Sequence, residues 1–209
     1  MKGHILAVFG LIMCAPVPVR GQVVSWRIDA VGATYQEIAD HHDALGAGVG
    51  GGMGLRIKRF RVDVRAYTVS MNPDSATFAS YRFTQLDIRA GYQITPLLAL
   101  ELGGGRRYVT PEFSAQEVGY TRVGILSENA LNKLATVWVR GAVLPEPRFS
   151  GGGSAELAFE FSLGIGVGTA NRRFRFHAEY EFQRMDRSIG ESSVPLQVSL
   201  ARTGFAFGF

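Results

Sequence analysis

The stretch Arg173-Phe174-Arg175-Phe176-His177-Ala178-Glu179-Tyr180-Glu181-Phe182-Gln183 sorts its residues by parity. Phe174, Phe176, Ala178, Tyr180 and Phe182 fall on one side. Arg173, Arg175, His177, Glu179, Glu181 and Gln183 fall on the other. Side chains of an extended strand point alternately to its two faces, so a strand separates these two sets cleanly. A helix would spread Arg and Glu around its whole circumference.

The same period of two runs outward through the chain. It predicts ten strands, at about 24–35, 47–57, 60–70, 80–94, 97–109, 116–127, 133–145, 154–168, 173–186 and 194–209. Val62, Val64 and Ala66 oppose Arg61, Asp63 and Arg65. Leu86, Ile88, Ala90 and Tyr92 oppose Asp87, Arg89 and Gln93. Val137, Val139 and Val143 oppose Thr136, Trp138 and Arg140; Leu157, Phe159, Phe161, Leu163 and Ile165 oppose Glu156, Glu160 and Ser162. Ser127 to Lys133 reads either as a turn or as one helical turn, and eight strands is the fallback if 116–145 were loop. Ten is preferred because Leu134 to Val143 alternates too well.

Composition excludes several classes. The chain has 209 residues, 46% hydrophobic, which is too apolar for a disordered chain. One cysteine, Cys14, rules out a disulfide scaffold. No apolar run reaches the roughly 18–20 residues of a membrane-spanning helix. The formal charge is +4, but the cations are spread along the chain and interleaved with acids. No basic block points to nucleic acid.

Residues 1–21 read as a secretory leader. Met1-Lys2-Gly3-His4 is a short basic start, and Ile5 to Val19 is apolar, broken by Pro16 and Pro18. A cut after Gly21 places Val19 and Gly21 at the −3 and −1 positions. Leu11-Ile12-Met13-Cys14 faintly resembles a lipoprotein box, but Met13 stands where a small residue belongs, so lipidation is not expected. The expected domain structure is thus a leader, 1–21, followed by one barrel domain, 22–209.

Alternation alone does not say which face is inside. A water-soluble barrel turns its apolar face inward. A membrane barrel turns it to lipid and encloses the charges. Four features favour the membrane: the leader, the even strand count, strands of about ten residues or more, and segregated connections. Lys58-Arg59, Thr95-Pro96, Glu128 to Asn132 and Thr169 to Arg172 are short. The alternate connections, Gln36 to Gly46, Met71 to Ala79, Thr110 to Ala115, Glu146 to Gly153 and Arg187 to Ser193, are mostly longer.

The chain end, Arg202-Thr203-Gly204-Phe205-Ala206-Phe207-Gly208-Phe209, resembles the C-terminal assembly signal of bacterial outer-membrane β-barrel proteins. Arg202, Gly204, Phe207 and Phe209 occupy its polar, glycine and hydrophobic positions. The resemblance implies an antiparallel transmembrane up-and-down β-barrel in the outer membrane of a Gram-negative bacterium, with both termini periplasmic. It also implies outer-membrane lipid and the barrel-assembly machinery as partners. Leu196, Val198 and Leu200 have the opposite parity to Phe205 and Phe207, so a bulge or an apolar patch in the lumen is required.

In that orientation Phe174, Phe176, Leu157, Phe159, Leu98 and Leu100 face lipid. The lumen receives Arg61, Asp63, Arg65, Asp87, Arg89, Glu101, Arg122, Arg140, Glu160, Arg175, His177, Glu179 and Glu181. Such a network either plugs the interior or lines a narrow selective pore. Small barrels are usually filled by side chains, which favours a plug or a very narrow pore.

Catalytic and metal signals are thin. His177 beside Glu179 and Glu181 fits a general base, but no Ser or Cys nucleophile can be placed with it. Asp40-His41-His42-Asp43 has metal-ligating side chains, yet adjacent loop residues rarely converge. Gly46-Ala47-Gly48-Val49-Gly50-Gly51 matches a dinucleotide-binding pattern, but no helix follows; the glycines give one strand face room beside bulky arginines. The expected function is therefore non-enzymatic and cofactor-free: a small porin-like channel, or a structural barrel with extracellular loops and a charged lumen. The alternatives are an enzyme acting at the outer rim, where Asp40, His41, Asp43 and Asp186 would lie, or a soluble exported barrel holding an apolar ligand.

Overall fold

The computed structural model describes residues 22–37, 42–74, 79–111, 117–169 and 173–208. The leader expected at 1–21 lies outside the described residues, as do Asp40, His41 and Phe209. β1 spans Gln22–Glu37, β2 His42–Ile57, β3 Phe60–Pro73, β4 Tyr81–Gln93, β5 Leu98–Thr110 and β6 Val118–Ala130. β7 spans Ala135–Val143, β8 Arg148–Phe149, β9 Ser154–Gly168, β10 Phe174–Ile189 and β11 Ser192–Gly208. β8 has two residues and pairs only with Val118 and Gly119 of β6.

The other ten strands form one antiparallel ring in chain order. β1 pairs with β11 from Ser25↔Gly208 to Glu37↔Leu196, and this seam closes the sheet. Closure removes the unpaired edges an open sheet would expose. β6 and β7 pair from Val123↔Val143 to Ala130↔Thr136, so the ten-stranded reading stands and the eight-stranded fallback falls.

The two faces are chemically distinct. Ile28, Val49, Ile88, Leu102, Leu163 and Phe205 are all exposed on the outer face. Phe174, Phe176, Leu157 and Leu100 join them, with Phe159 and Leu98 half-buried on the same face. An apolar band around a closed barrel suits hydrocarbon and would be a large liability in water. Inside, Arg89, Arg122, Arg140, Glu160 and Glu181 are fully buried. This arrangement overturns the soluble-barrel alternative, which needs the charges outside.

The parity conflict in the last strand resolves without a bulge. β11 keeps continuous register with β1 and with β10. Leu196, Val198 and Leu200 point into the lumen, where they pack with Tyr67, Val69, Met71 and Phe83. Phe205 is exposed on the outside, next in line along the strand.

The connections are less lopsided than their sequences suggest, because the strands run further than expected. β10 and β11 stay paired to Ile189↔Ser192, leaving a two-residue turn, Gly190-Glu191. Gly190 adopts φ 61°, a left-handed conformation that costs glycine no steric strain. The long connection at this end is 144–153. It folds inward so that Leu144 and Phe149 are buried, and the Arg187 guanidinium lies 4.9 Å from the Phe149 ring centre.

The glycine face of β2 lets strands approach and arginines lie flat. A Cβ on Gly48 would sit 1.9 Å from the Thr68 carbonyl oxygen, and one on Gly52 would meet both the β3 backbone and the Arg65 stem. Elsewhere, Gly164 lies beneath the Trp138 ring and Gly166 beneath Arg175.

Candidate functional site

From the loop end to the turn end the lumen has three zones. The loop half is an apolar plug that includes Tyr35, Tyr67, Val69, Met71, Phe83, Met185 and Leu200. A residual void beside Arg107, Phe149 and Leu196 measures about 10 Å³, room for roughly one water. Sequence alternation flagged only the Leu196, Val198 and Leu200 part of this plug.

The middle zone is ionic, and most of its bonds cross the lumen between strands that are not neighbours. Arg89 of β4 donates from Nη2 to Glu160 of β9 at 2.9 Å and to Glu181 of β10 at 3.0 Å. Arg122 of β6 donates to Asp87 at 2.9 Å and lies 2.9 Å from Glu160 Oε2. Arg65 of β3 donates to both oxygens of Glu179 at 3.0 and 3.1 Å. Arg140 donates to Glu101, and also to Ser162 Oγ at 3.3 Å. Tyr120 donates to Asp87 at 2.9 Å, and Gln85 donates to the Tyr120 hydroxyl at 2.7 Å. Buried ions are tolerable only when paired and hydrogen-bonded in this way.

The third zone is a vestibule of about 250 Å³ at the turn end, where both ends of the barrel chain lie. Arg61 stands on its wall, paired with Asp63 at 3.2 Å and Glu128 at 3.3 Å. Arg175 also lines it, exposed and apart from the ion network.

The structure therefore gathers Arg65, Asp87, Arg89, Glu101, Arg122, Arg140, Glu160, Glu179 and Glu181 into the middle of the lumen. It leaves Arg61, Asp63 and Arg175 at the mouth. His177 is placed differently from its sequence neighbours: its Nε2 pairs with Asp29 Oδ1 on β1, not with Glu179 or Glu181. Asp29, Gln85, Arg107 and Gln183 belong to the lumen too and were missed. Their shared signal is inward parity: Gln85 and Gln183 sit two residues from Asp87 and Glu181, Arg107 shares its face of β5 with Glu101, and Asp29 pairs with Gly50 and Gly204.

Arg202 has a second role besides its place in the terminal motif. It is buried, donating to Glu181 and, at 3.2 Å, to Glu179. Gly204 lies at the closing seam, where a Cβ would fall 1.9 Å from the Ile28 carbonyl oxygen. Phe207 packs edge-on against Phe174 at 5.0 Å.

Of the outer-rim set, Asp40 and His41 lie outside the described residues, and Asp43 and Asp186 lie on β2 and β10. Asp186 lies on the outer face of β10, paired with Arg184 at 2.7 Å, while His177 lies inside near the turn end. No group of three or more metal-ligating side chains occurs among the described residues.

No protein-family model matches this chain, and no curated protein matches it. Solved structures do. The outer membrane protease OmpT from Escherichia coli shares 10% identity with a TM-score of 0.52, over 93% of this chain and 99% of that one. An outer membrane channel from Pseudomonas putida shares 9% identity with a TM-score of 0.48, over 93% and 97%. Neisserial surface protein A shares 12% identity with a TM-score of 0.45, over 90% and 97%. At such identities the likeness is one of fold, and fold assigns no chemistry by itself. A closed ten-stranded ring, apolar outside and ionic within, has the architecture of the Gram-negative outer-membrane β-barrel proteins, and it is to that fold that this chain belongs.

Proposed function

We propose that this protein is a structural outer-membrane barrel whose lumen is closed by its own side chains. The observation that carries the reading is the stacking of two fillings. An apolar plug occupies the loop half, and a cross-lumen ion layer lies directly beneath it. Either layer alone would obstruct a solute; among the described residues the roomy part of the lumen is the turn-end vestibule, against a void of about 10 Å³ in the plug. A porin-like channel would need both to move aside.

Planar-bilayer recording tests this. The closed reading predicts a quiet membrane after insertion of the purified barrel. Steady single-channel steps of uniform size would overturn it and favour the channel.

Two accessory readings go with it. Residues 1–21 act as a cleaved leader, and the chain end acts as the handle for the barrel-assembly machinery. Removal of Phe209 is then expected to lower the amount of folded barrel in the outer membrane, measured by heat-dependent gel mobility. Unchanged assembly would remove that role.

A further inference from the structure

We infer that the turn-end vestibule is a binding site for a small oxyanion, a phosphate or carboxylate group. The inference rests on the vestibule's own geometry and holds whether or not the lumen conducts.

Its first support is register. Arg175 of β10 pairs with Ala206 of β11, and Ala206 pairs with Arg27 of β1. Arg27 pairs with Gly52 of β2, and Gly52 with Arg65 of β3. Three arginines therefore alternate with two small residues along one line across five strands. Strands lie about 4.8 Å apart, so successive arginines are roughly 10 Å apart at the backbone. Ala206 and Gly52 leave the space between them open for long side chains to converge. All three arginines line the same cavity, Arg65 buried and Arg175 exposed at the mouth.

The second support is an imbalance of charge. Glu179 is shared by Arg65, Arg140 and Arg202, and Arg27 reaches it only at 3.8 Å. Arg175 makes no hydrogen bond or ion pair among the described residues. The wall's own acids do not supply the deficit, since Asp63 and Glu128 are engaged by Arg61. Guanidinium groups with unused donors bind phosphate and carboxylate in a planar, two-pronged fashion. Low-dielectric walls concentrate such a field in the cavity.

A third observation concerns His177. It lines the vestibule while buried, with Nε2 on Asp29 and with Nδ1 lacking a partner among the described residues. Trp138 supplies a flat wall beside the arginines. A volume of about 250 Å³ suits a small ligand, below the usual range of drug-sized pockets.

Trp138 also provides the readout. The chain has two tryptophans, so a Trp26→Phe background isolates Trp138. Inorganic phosphate and citrate are titrated separately into the detergent-purified barrel at constant ionic strength. The site predicts a saturable change in Trp138 emission with at least one of them. Response to phosphate alone assigns a phosphate site, and response to citrate alone a carboxylate site. The Arg27→Gln/Arg175→Gln double variant should weaken binding at least tenfold, while Arg82→Gln, exposed on β4 at the loop end, should leave it unchanged. If the double variant fails to fold, Arg175→Gln alone carries the test, with a loss of at least about threefold. No saturable response to either anion, or the same affinity in the arginine variants, overturns the inference.

Discussion

Arg89 and Glu160 meet at 2.9 Å across the lumen, although three strands, β5, β6 and β7, separate β4 from β9 around the ring. This bond and its companion to Glu181 brace opposite walls of the barrel. Removing the cation leaves two buried carboxylates short of a partner. Arg89→Leu is therefore expected to cost about 3–5 kcal/mol. Urea unfolding in lipid vesicles checks this, and an unchanged midpoint would mean that the network contributes no net stability.

The apolar plug makes a different prediction. Leu200 is fully buried among Tyr67, Val69 and their neighbours. Leu200→Ala should cost about 2–5 kcal/mol through lost burial and the cavity it leaves. The ion layer beneath remains whole, so the variant should still be silent in a planar bilayer. A destabilised variant that conducts would show that the plug alone closes the lumen.

Two glycines separate close strand packing from mere flexibility. Gly48→Ala places a methyl group against the Thr68 carbonyl, whereas nothing lies within 4 Å of a Cβ at Gly119. The first substitution should destabilise by about 1–3 kcal/mol as β2 and β3 are forced apart. Gly119→Ala should be close to neutral or slightly stabilising. Equal costs at both sites would refute the steric account.

Outer-face positions should follow membrane depth. Arginine at Leu163 or Ile88, both about half exposed on the outer wall, is expected to cost roughly 2–4 kcal/mol in vesicles if they lie near mid-depth. Little or no cost at either position would place it near the interface or outside the hydrocarbon.

Parity made the strand count and most lumen charges legible, because from Phe174 to Gln183 β10 sets Phe, Ala and Tyr against Arg, His, Glu and Gln. Most of the plug was hidden because the contrast reverses within a strand. In β3, Arg61, Asp63 and Arg65 are inward and polar, but Tyr67, Val69 and Met71 continue the same inward face as apolar residues. Thr68 and Ser70 meanwhile take the outer side. A pattern that inverts in mid-strand looks like a slip of register unless the interior itself changes character along the axis. Leu196 to Leu200 posed the same puzzle in β11. Partners across the lumen were also unreadable: that Arg89 meets Glu160 follows from ring closure, and that His177 meets Asp29 follows from the seam between first and last strands. Neither relation has a local signature.

The orientation of the two faces supports everything else, and it can be measured directly. In a Cys14→Ser background, a nitroxide is attached to single cysteines at Ile88, Leu163 and Phe176 on the outer face, in protein reconstituted in lipid. Collisions with oxygen, which dissolves in the bilayer, should exceed those with a water-soluble nickel chelate at all three sites. A label more accessible to the chelate than to oxygen at these positions would contradict the lipid-facing wall.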